Sequence, residues 1–328
     1  MILIDNENNT HPAINLALEE YALTQLDLDV DHILFYVNKP SVIIGKHQNT
    51  HEEINRQHID TQGIHVVRRI SGGGTVYHDQ GNLNFSFLTR SAGKTFNDYR
   101  TFTQPIIQAL HALGVPAELT GRNDIIANGK KISGNAQYRR AKKMFCHGTL
   151  LFDSNLDQVV SALNVKADKI QSKGIKSVRS RVTNIRELLK QDMTIDQFKQ
   201  HLLDHLFKTQ TLRVHQFSPT DWQAIKALAQ SKYETWGWNY GKSPQFDVQH
   251  RERLPIGEID IRMNIKHSAI AAIKIYGDFF AERDIAELEA LLLGQPYDQE
   301  ALRKHLQHTD LNLYFSKLTV DEFLSVIF

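Results

Sequence analysis

A chain of 328 residues, 41% hydrophobic and 23% charged, can bury a sizeable core arranged as one large domain or two. A formal net charge of +1 argues against a nucleic-acid partner, and no apolar run approaches the roughly 20 residues of a membrane span. The lone cysteine, Cys146, excludes an internal disulfide, and with no basic leader at the N-terminus the expected setting is cytoplasmic, with no membrane partner.

Residues 1–6 read as a short strand. Thr10-His11-Pro12 opens a helix, Thr10 serving as the cap and Pro12 sitting where a first-turn proline is tolerated. Ile14, Leu18, Tyr21 and Ala22 then recur at helical spacing as one buried face. Strand-like runs follow at 33–37 and 42–45, and a short capped helix at 49–55. Next comes Arg68-Arg69-Ile70-Ser71-Gly72-Gly73-Gly74-Thr75-Val76-Tyr77-His78, around which the rest of the chain is organised. Apolar runs at 64–67 and 83–88 flank it, which predicts a strand–turn–strand hairpin around the glycines.

A helix is predicted over 101–113, with Gly114 ending it and Pro116 just beyond. Residues 121–136 read as a second hairpin turning at Asn128-Gly129, a pair that tolerates the positive φ of a tight turn. A strand at 144–152 and helices at 156–163, 185–189, 195–207 and 220–232 complete this region. Between them, 171–183 is basic and contains glycine without an apolar period, the mark of a functional lid or of a solvated linker. Aromatics and turn residues at 236–246 give way to the polar run 247–253, which places a domain boundary near Phe246, dividing 1–246 from 247–328. Beyond it, strands at 259–263 and 270–276 and helices at 285–293, 299–306 and 319–326 make a small α+β unit.

Three consecutive glycines strip side chains from the first turn, so its N–H groups can approach a ligand closely. Arg68, Arg69 and His78 beside it suit an anionic small molecule. A flexible hairpin with a solvated basic rim has the same composition. Lys131, just past the Asn-Gly turn and followed by small residues, can reach across a cleft or stand as a surface charge. Phosphate-loop, dinucleotide, serine-elbow and paired Cys/His metal patterns are missing from the sequence.

Together the Arg-Arg-Ile-Ser-Gly-Gly-Gly turn and Lys131-Ile132-Ser133-Gly134 resemble the paired signature of the lipoate-protein ligases. The resemblance runs on through Phe145-Cys146-His147-Gly148-Thr149-Leu150-Leu151 and the basic segment 173–184. It implies an α+β fold: a mixed sheet with flanking helices, similar to biotin-protein ligase and the class II synthetases, plus a small C-terminal α+β accessory domain. It also implies that lipoate is activated with ATP and magnesium (Mg2+) to lipoyl-AMP, with release of pyrophosphate. The lipoyl group then passes to a lysine of apo-lipoyl domains: the H protein of glycine cleavage, or acyltransferase subunits of the 2-oxoacid dehydrogenases. A monomer is expected.

By the same resemblance, adenylate contacts fall on Arg69, Gly74, Thr75, Val76, Tyr77 and Asn123. Contacts to the lipoyl chain and carbonyl fall on Tyr36, Arg69, Ser71, Gly73, His78, Ser133, Gly134, Ala136 and His147. Lys131 bridges the lipoyl carbonyl and the phosphate, and segment 173–181 closes over the intermediate. Asp124, beside Asn123, is the candidate magnesium ligand, with the shaping of a turn as its alternative.

Two rival readings share this fold. An ATP-independent octanoyl- or lipoyl-transferase carries the acyl group on a cysteine, and this chain has Gly121-Arg122-Asn123-Asp124 at that place. A non-catalytic lipoate sensor or lipoyl-domain binder is countered by Lys131, Asp124 and the intact glycine turn. Cys146 is not expected to supply the missing nucleophile, because neighbours on a strand point to opposite faces. With His147 in the cleft, Cys146 faces away.

Overall fold

The computed structural model describes residues 1–91, 96–163, 181–209, 211–240 and 248–328. The strands before residue 120 are β1 (Ile2–Ile4), β2 (His32–Val37), β3 (Ser41–Ile44), β4 (His65–Arg68), β5 (Val76–His78), β6 (Asn82–Arg90) and β7 (Ala117–Thr120). After them come β8 (Asp124–Ala127), β9 (Lys130–Arg140), β10 (Lys143–Leu151), β11 (Val214–His215), β12 (Val248–Leu254), β13 (Gly257–Lys266) and β14 (Ala269–Gly277). The large sheet has the order β11-β1-β2-β6-β10-β9-β8-β7; β1 runs parallel to both of its neighbours and the other pairs are antiparallel.

A separate small sheet has the order β4-β3-β5, and here the structure departs from the predicted glycine hairpin. β4 and β5 do not pair with each other. They flank β3, β4 in parallel and β5 antiparallel, so the glycine segment crosses over the end of β3. The run at 83–88 lies in β6 of the large sheet. Apolar alternation reports that a run is a strand but not which strand it pairs with, and that choice is tertiary.

Helix α1 (Pro12–Gln25) packs against β6 and β10 of the large sheet and β4 of the small one. Wedged between layers, it is buried on most sides: Leu16, Ala17, Glu19 and Leu23 are enclosed, whereas Ile14 and Tyr21 of the predicted face are partly exposed. Thr10 is not its cap; His11 holds that position without a side-chain hydrogen bond, and Pro12 at the first turn needs no partner for a missing N–H. Two short helices, α2 (Thr50–Glu53) and α3 (Arg56–Gln62), lead to β4.

The opposite face of the large sheet is covered by α4 (Arg100–Ala112) and by the helix Ile195–Leu206, which pack on each other. Ile33, Phe35, Phe85 and Cys146 point to that side, while Leu34, Tyr36 and Phe145 point toward α1. This is the period-two alternation of a sheet buried on both faces. The predicted helix at 185–189 is a single 3-10 turn, Arg186–Leu188. The one at 220–232 is an α-helix over Pro219–Leu228 continued by a π turn, Ala229–Tyr233.

In the C-terminal region, β12, β13 and β14 form an antiparallel sheet whose apolar core includes Ile259, Ile261, Phe279, Leu288, Leu302 and Phe323. Helices Ile285–Leu292, Gln299–Leu306 and Val320–Ile327 pack with it. The polar run 247–253 is largely β12; as an edge strand with Gln249, Arg251 and Arg253 exposed, it has little apolar pattern to read. The boundary near Phe246 and most of the candidate lid at 171–183 lie outside the described residues. No helix of the described residues is long and apolar enough to cross a membrane.

Candidate active site

The crossing glycine segment, the β8–β9 hairpin, α1 and β10 converge on a cavity of about 110 Å³. The glycine segment contributes Arg69, Gly73, Gly74, Thr75 and Val76 to its wall, and β5 contributes His78. Tyr36 reaches it from β2, and Asn123, Lys131, Gly134 and Ala136 from the hairpin. His147 comes from β10.

Four of the expected site residues stand outside that wall. Tyr77 alternates with Val76 and His78, so its ring turns the other way, into a cluster with Val42, Ile44 and Ile54. It can shape the adenylate region only through its backbone. Ser71 lies behind His147, and Ser133 is buried with its hydroxyl accepting from Asn135 Nδ2 at 3.2 Å. Asp124 joins the cavity through Lys131. Residues the sequence reading missed include Leu16, Ile43, Asn84 and Thr149 in the wall and Glu19 behind it. A legible signal existed for Glu19: Leu16, Glu19 and Leu23 share the buried stripe of α1, an acid inside an apolar row.

Lys131 follows a tight turn in which Asn128 has φ 50° and Gly129 has φ 76°, as the Asn-Gly pair requires. A register irregularity at Ile125/Ile126 re-aims the strand beyond it. Lys131 Nζ pairs with Asp124 Oδ1 at 2.8 Å, and a side-chain carbon at Gly134 would stand 3.0 Å from that nitrogen. Gly134 is thus the space the ammonium occupies. The Thr183 N–H donates to the Lys131 carbonyl at 3.1 Å, tying the chain that follows the basic segment to this strand.

For magnesium, the partly exposed Asp124 supplies the hard oxygen donors such an ion takes. Among the described residues no group of three or more His, Cys, Asp or Glu gathers to hold a metal. The residues therefore fit an ion held by one carboxylate and completed by phosphate oxygens and water.

Both arginines of the turn are engaged by the protein itself. Arg68 points away from the cavity; its Nη1 donates to the carbonyls of Gly45 and Gln48, at 2.9 and 2.6 Å, and its Nε to that of Trp238 at 3.0 Å. Arg69, 5% exposed, donates from Nε to Ser71 Oγ at 3.0 Å, from Nη1 to the Ile43 carbonyl at 3.2 Å, and from Nη2 to Gly72 and Gly74 at 2.7 and 2.8 Å. Burial lowers its pKa to about 10. One N–H of Nη1 is left for a ligand; the others brace the turn.

Behind the wall runs a buried chain of hydrogen bonds. Ser71 Oγ meets His147 Nε2 at 2.8 Å, and His147 Nδ1 meets both carboxylate oxygens of Glu19 at 3.0 Å. Arg69 donates to Ser71, so the hydroxyl and the imidazole link the guanidinium at one end to the Glu19 carboxyl at the other. Cys146 lies on the other face, in the core with Phe85 and Met144, and burial drives its thiol pKa far up. The expected opposition of Cys146 and His147 holds.

The C-terminal region also touches the turn. Gly73 N–H donates to the Phe279 carbonyl at 3.3 Å, and a Cβ at Gly72 would collide with that oxygen. Phe280 inserts against Tyr99, and the Arg122 guanidinium lies 4.6 Å over its ring. Gly73 N–H is therefore not free for a phosphate here, whereas nothing lies within 4 Å of a side-chain carbon built at Gly74.

Sequence-family models match twice: "Lipoyl protein ligase A/B catalytic domain" over residues 11–207, and "Bacterial lipoate protein ligase C-terminus" over 243–327. Among curated relatives, lipoate-protein ligase LplJ of Bacillus subtilis is 50% identical, and lipoate–protein ligase 1 of Staphylococcus aureus is 46% identical. Each alignment covers 100% of both chains. In fold, the chain is similar to P. falciparum LipL1 solved in complex with lipoate, at TM-score 0.81, 24% identity and 99% and 98% coverage of the two chains. A bi-partite lipoate protein ligase from Thermoplasma acidophilum, described with its E2 lipoyl domain, gives 0.66 at 29% identity, covering 75% of this chain and 98% of that one. Lipoate-protein ligase A bound with ATP gives 0.62 at 28% identity, covering 74% and 97%.

Proposed function

The chain belongs to the lipoate-protein ligase family, and from that premise we propose that lipoate is adenylated in the cavity between the glycine turn and Lys131. The activity is the ATP-dependent ligation of lipoate to protein, with lipoyl domains as acceptors. The observation that carries the placement is that Lys131 and the uncovered Gly74 face one cavity whose remaining wall includes apolar Leu16, Tyr36 and Ile43.

In the first half-reaction a lipoate carboxylate oxygen attacks the α-phosphorus of ATP and pyrophosphate leaves. Negative charge gathers on the carboxyl and phosphoryl oxygens, where the Lys131 ammonium is a preorganised partner. Arg69 serves this step mainly by bracing the turn that Gly74, Thr75 and Val76 present, and offers one N–H of its own. Asn123 stands beside the same end, and Asp124 would hold magnesium, which supplies neutralising charge to the phosphates. In the second half-reaction the neutral amine of the acceptor lysine attacks the acyl carbon and AMP departs. From behind the wall Ser71 holds His147 and Ser133 accepts from Asn135, while Gly73, Gly134 and Ala136 keep the channel narrow and clear.

The finer calls belong to this proposal. Acceptors are the acyltransferase subunits and the glycine-cleavage H protein, the E2 lipoyl domain described with the T. acidophilum ligase supporting the former. A division into two parts, drawn here as 1–246 and 247–328, is supported by family matches over 11–207 and 243–327; a cytoplasmic setting fits the free, buried Cys146, and the monomer belongs to the same proposal. The test is lipoate-dependent pyrophosphate release. Lys131→Ala is expected to lower it about a hundred- to thousandfold. Its melting temperature should barely move, because a half-exposed ion pair contributes about 1 kcal/mol or less. Full turnover in that variant would sink the placement.

A further inference from the structure

His78 projects into the cavity wall, is 4% exposed, and its Nε2 has no hydrogen-bond partner among the described residues. A buried polar atom left unpaired costs free energy unless a ligand meets it. Which kind of partner it seeks depends on where the imidazole proton sits, and a row of buried amides decides that.

Asn15 Nδ2 donates to the Asn9 carbonyl at 2.9 Å; a carbonyl only accepts, so this fixes which way the Asn15 amide faces. Asn6 Nδ2 donates to the same carbonyl at 2.9 Å and to Asn15 Oδ1 at 3.2 Å, in agreement. The other hydrogen of Asn15 Nδ2 goes to Asn38 Oδ1 at 2.9 Å. That leaves Asn38 Nδ2 as the atom 3.0 Å from His78 Nδ1. Nδ1 must accept, so in the neutral ring the proton is on Nε2. Burial, with Arg69 and His147 as further causes, holds the imidazole pKa down at about 3, which keeps the ring neutral.

The position of that N–H along the cavity follows from the run of β5. Lys131, 37% exposed, marks the mouth, where the carboxyl must meet ATP and later the acceptor amine. β5 leads away from the glycine turn, and Val76 and His78, two residues apart on it, line the same wall, so His78 stands farther from Gly74 and Lys131, where the far end of the acyl chain comes to rest. On lipoate the acceptors beyond the carboxyl are the two ring sulfurs. We propose that Asn6, Asn15 and Asn38 are positioning residues that hold His78 as an Nε2–H donor toward a dithiolane sulfur, selecting lipoate over an unsubstituted fatty acid of the same length. This deepens the ligase reading and rests on it.

The experiment compares kcat/KM for lipoate and octanoate, read as pyrophosphate release at saturating ATP, in the unsubstituted chain, Asn38→Asp and His78→Leu. Asn38→Asp replaces the donor facing Nδ1 with an acceptor, which draws the proton to Nδ1 and leaves a bare lone pair at Nε2. The lipoate-to-octanoate ratio is expected to fall about fivefold to tenfold in each variant, the scale of one lost hydrogen bond. A ratio within twofold of the unsubstituted chain in either variant overturns the inference and leaves the ligase reading standing. No release with either acid from the unsubstituted chain would instead overturn the ligase reading. If Asn38→Asp does not fold, nitrogen-15 spectra of histidine in the unsubstituted chain decide: an Nδ1–H tautomer or an imidazolium for His78 at pH 7 refutes the inference, and an Nε2–H tautomer supports it.

Discussion

Replacing Arg69 by lysine separates a brace from a substrate ligand. The guanidinium donates to three backbone carbonyls, those of Ile43, Gly72 and Gly74, and to the Ser71 hydroxyl, in a site 5% exposed. A lysine ammonium keeps the charge but lacks the planar fork, and it can reach one or two of these acceptors. Each buried acceptor left unpaired costs about 1–3 kcal/mol, so the substitution should destabilise by about 2–5 kcal/mol. Against a total of about 5–15 kcal/mol that is a large fraction. For a chain of 328 residues it corresponds to a melting temperature lower by about 3–7 °C. Thermal unfolding followed by circular dichroism, beside lipoate-dependent pyrophosphate release, is the assay. A brace predicts that stability and turnover fall together. A melting temperature within 2 °C of the parent, with only the KM for a substrate raised, would refute the reasoning and make Arg69 a direct ligand.

Acid sensitivity follows from His47 and His78, whose pKa values burial lowers from 6.5 to about 3. Between those values the unfolded chain binds more protons than the folded one, so this stability is fully present above pH 6.5 and drains as pH falls. With two such groups the loss should approach about 2–3 kcal/mol per pH unit, and urea unfolding at pH 7, 6 and 5 should show the slope roughly halved in His47→Gln. An unchanged slope rejects the assignment. Gly72→Ala places a carbon on the Phe279 carbonyl, so the loop bearing Phe279 and Phe280 must move; hydrogen exchange at 277–280 should quicken, and unaltered exchange counts against that contact. Cys146, buried on the face away from the cavity with its thiol pKa raised, should resist iodoacetamide until the chain unfolds, and Cys146→Ala should keep ATP-dependent pyrophosphate release. Loss of that activity would revive the transferase reading.

Local chemistry made much of the site legible in advance. Asn128-Gly129 demands positive φ at two successive residues, and that alone placed the hairpin carrying Lys131. Period-two alternation on β10 put His147 and Cys146 on opposite faces before any contact was known. Signals of this kind work because they depend on one residue and its immediate neighbours.

Other parts escaped because they depend on partners far along the chain. The glycine segment looked like a hairpin, yet β3 inserts between its two strands, and no feature of 64–78 announces a third strand at 41–44. Arg68 and Arg69 looked like ligands for an anion, but folding brings carbonyls of β3 and its following loop within reach of both guanidinium groups. Glu19, Asn15 and Asn38 gained roles only when α1 was wedged between two sheets, which turned a helix surface into an interior.

By itself the sequence determined most of the elements, the Asn-Gly turn and the kind of chemistry, since backbone preference and side-chain type are local properties. The tertiary structure decided which donors are spent on the protein and which are left for a ligand. Hydrogen-bond capacity is finite, and only the assembled neighbours show where it goes.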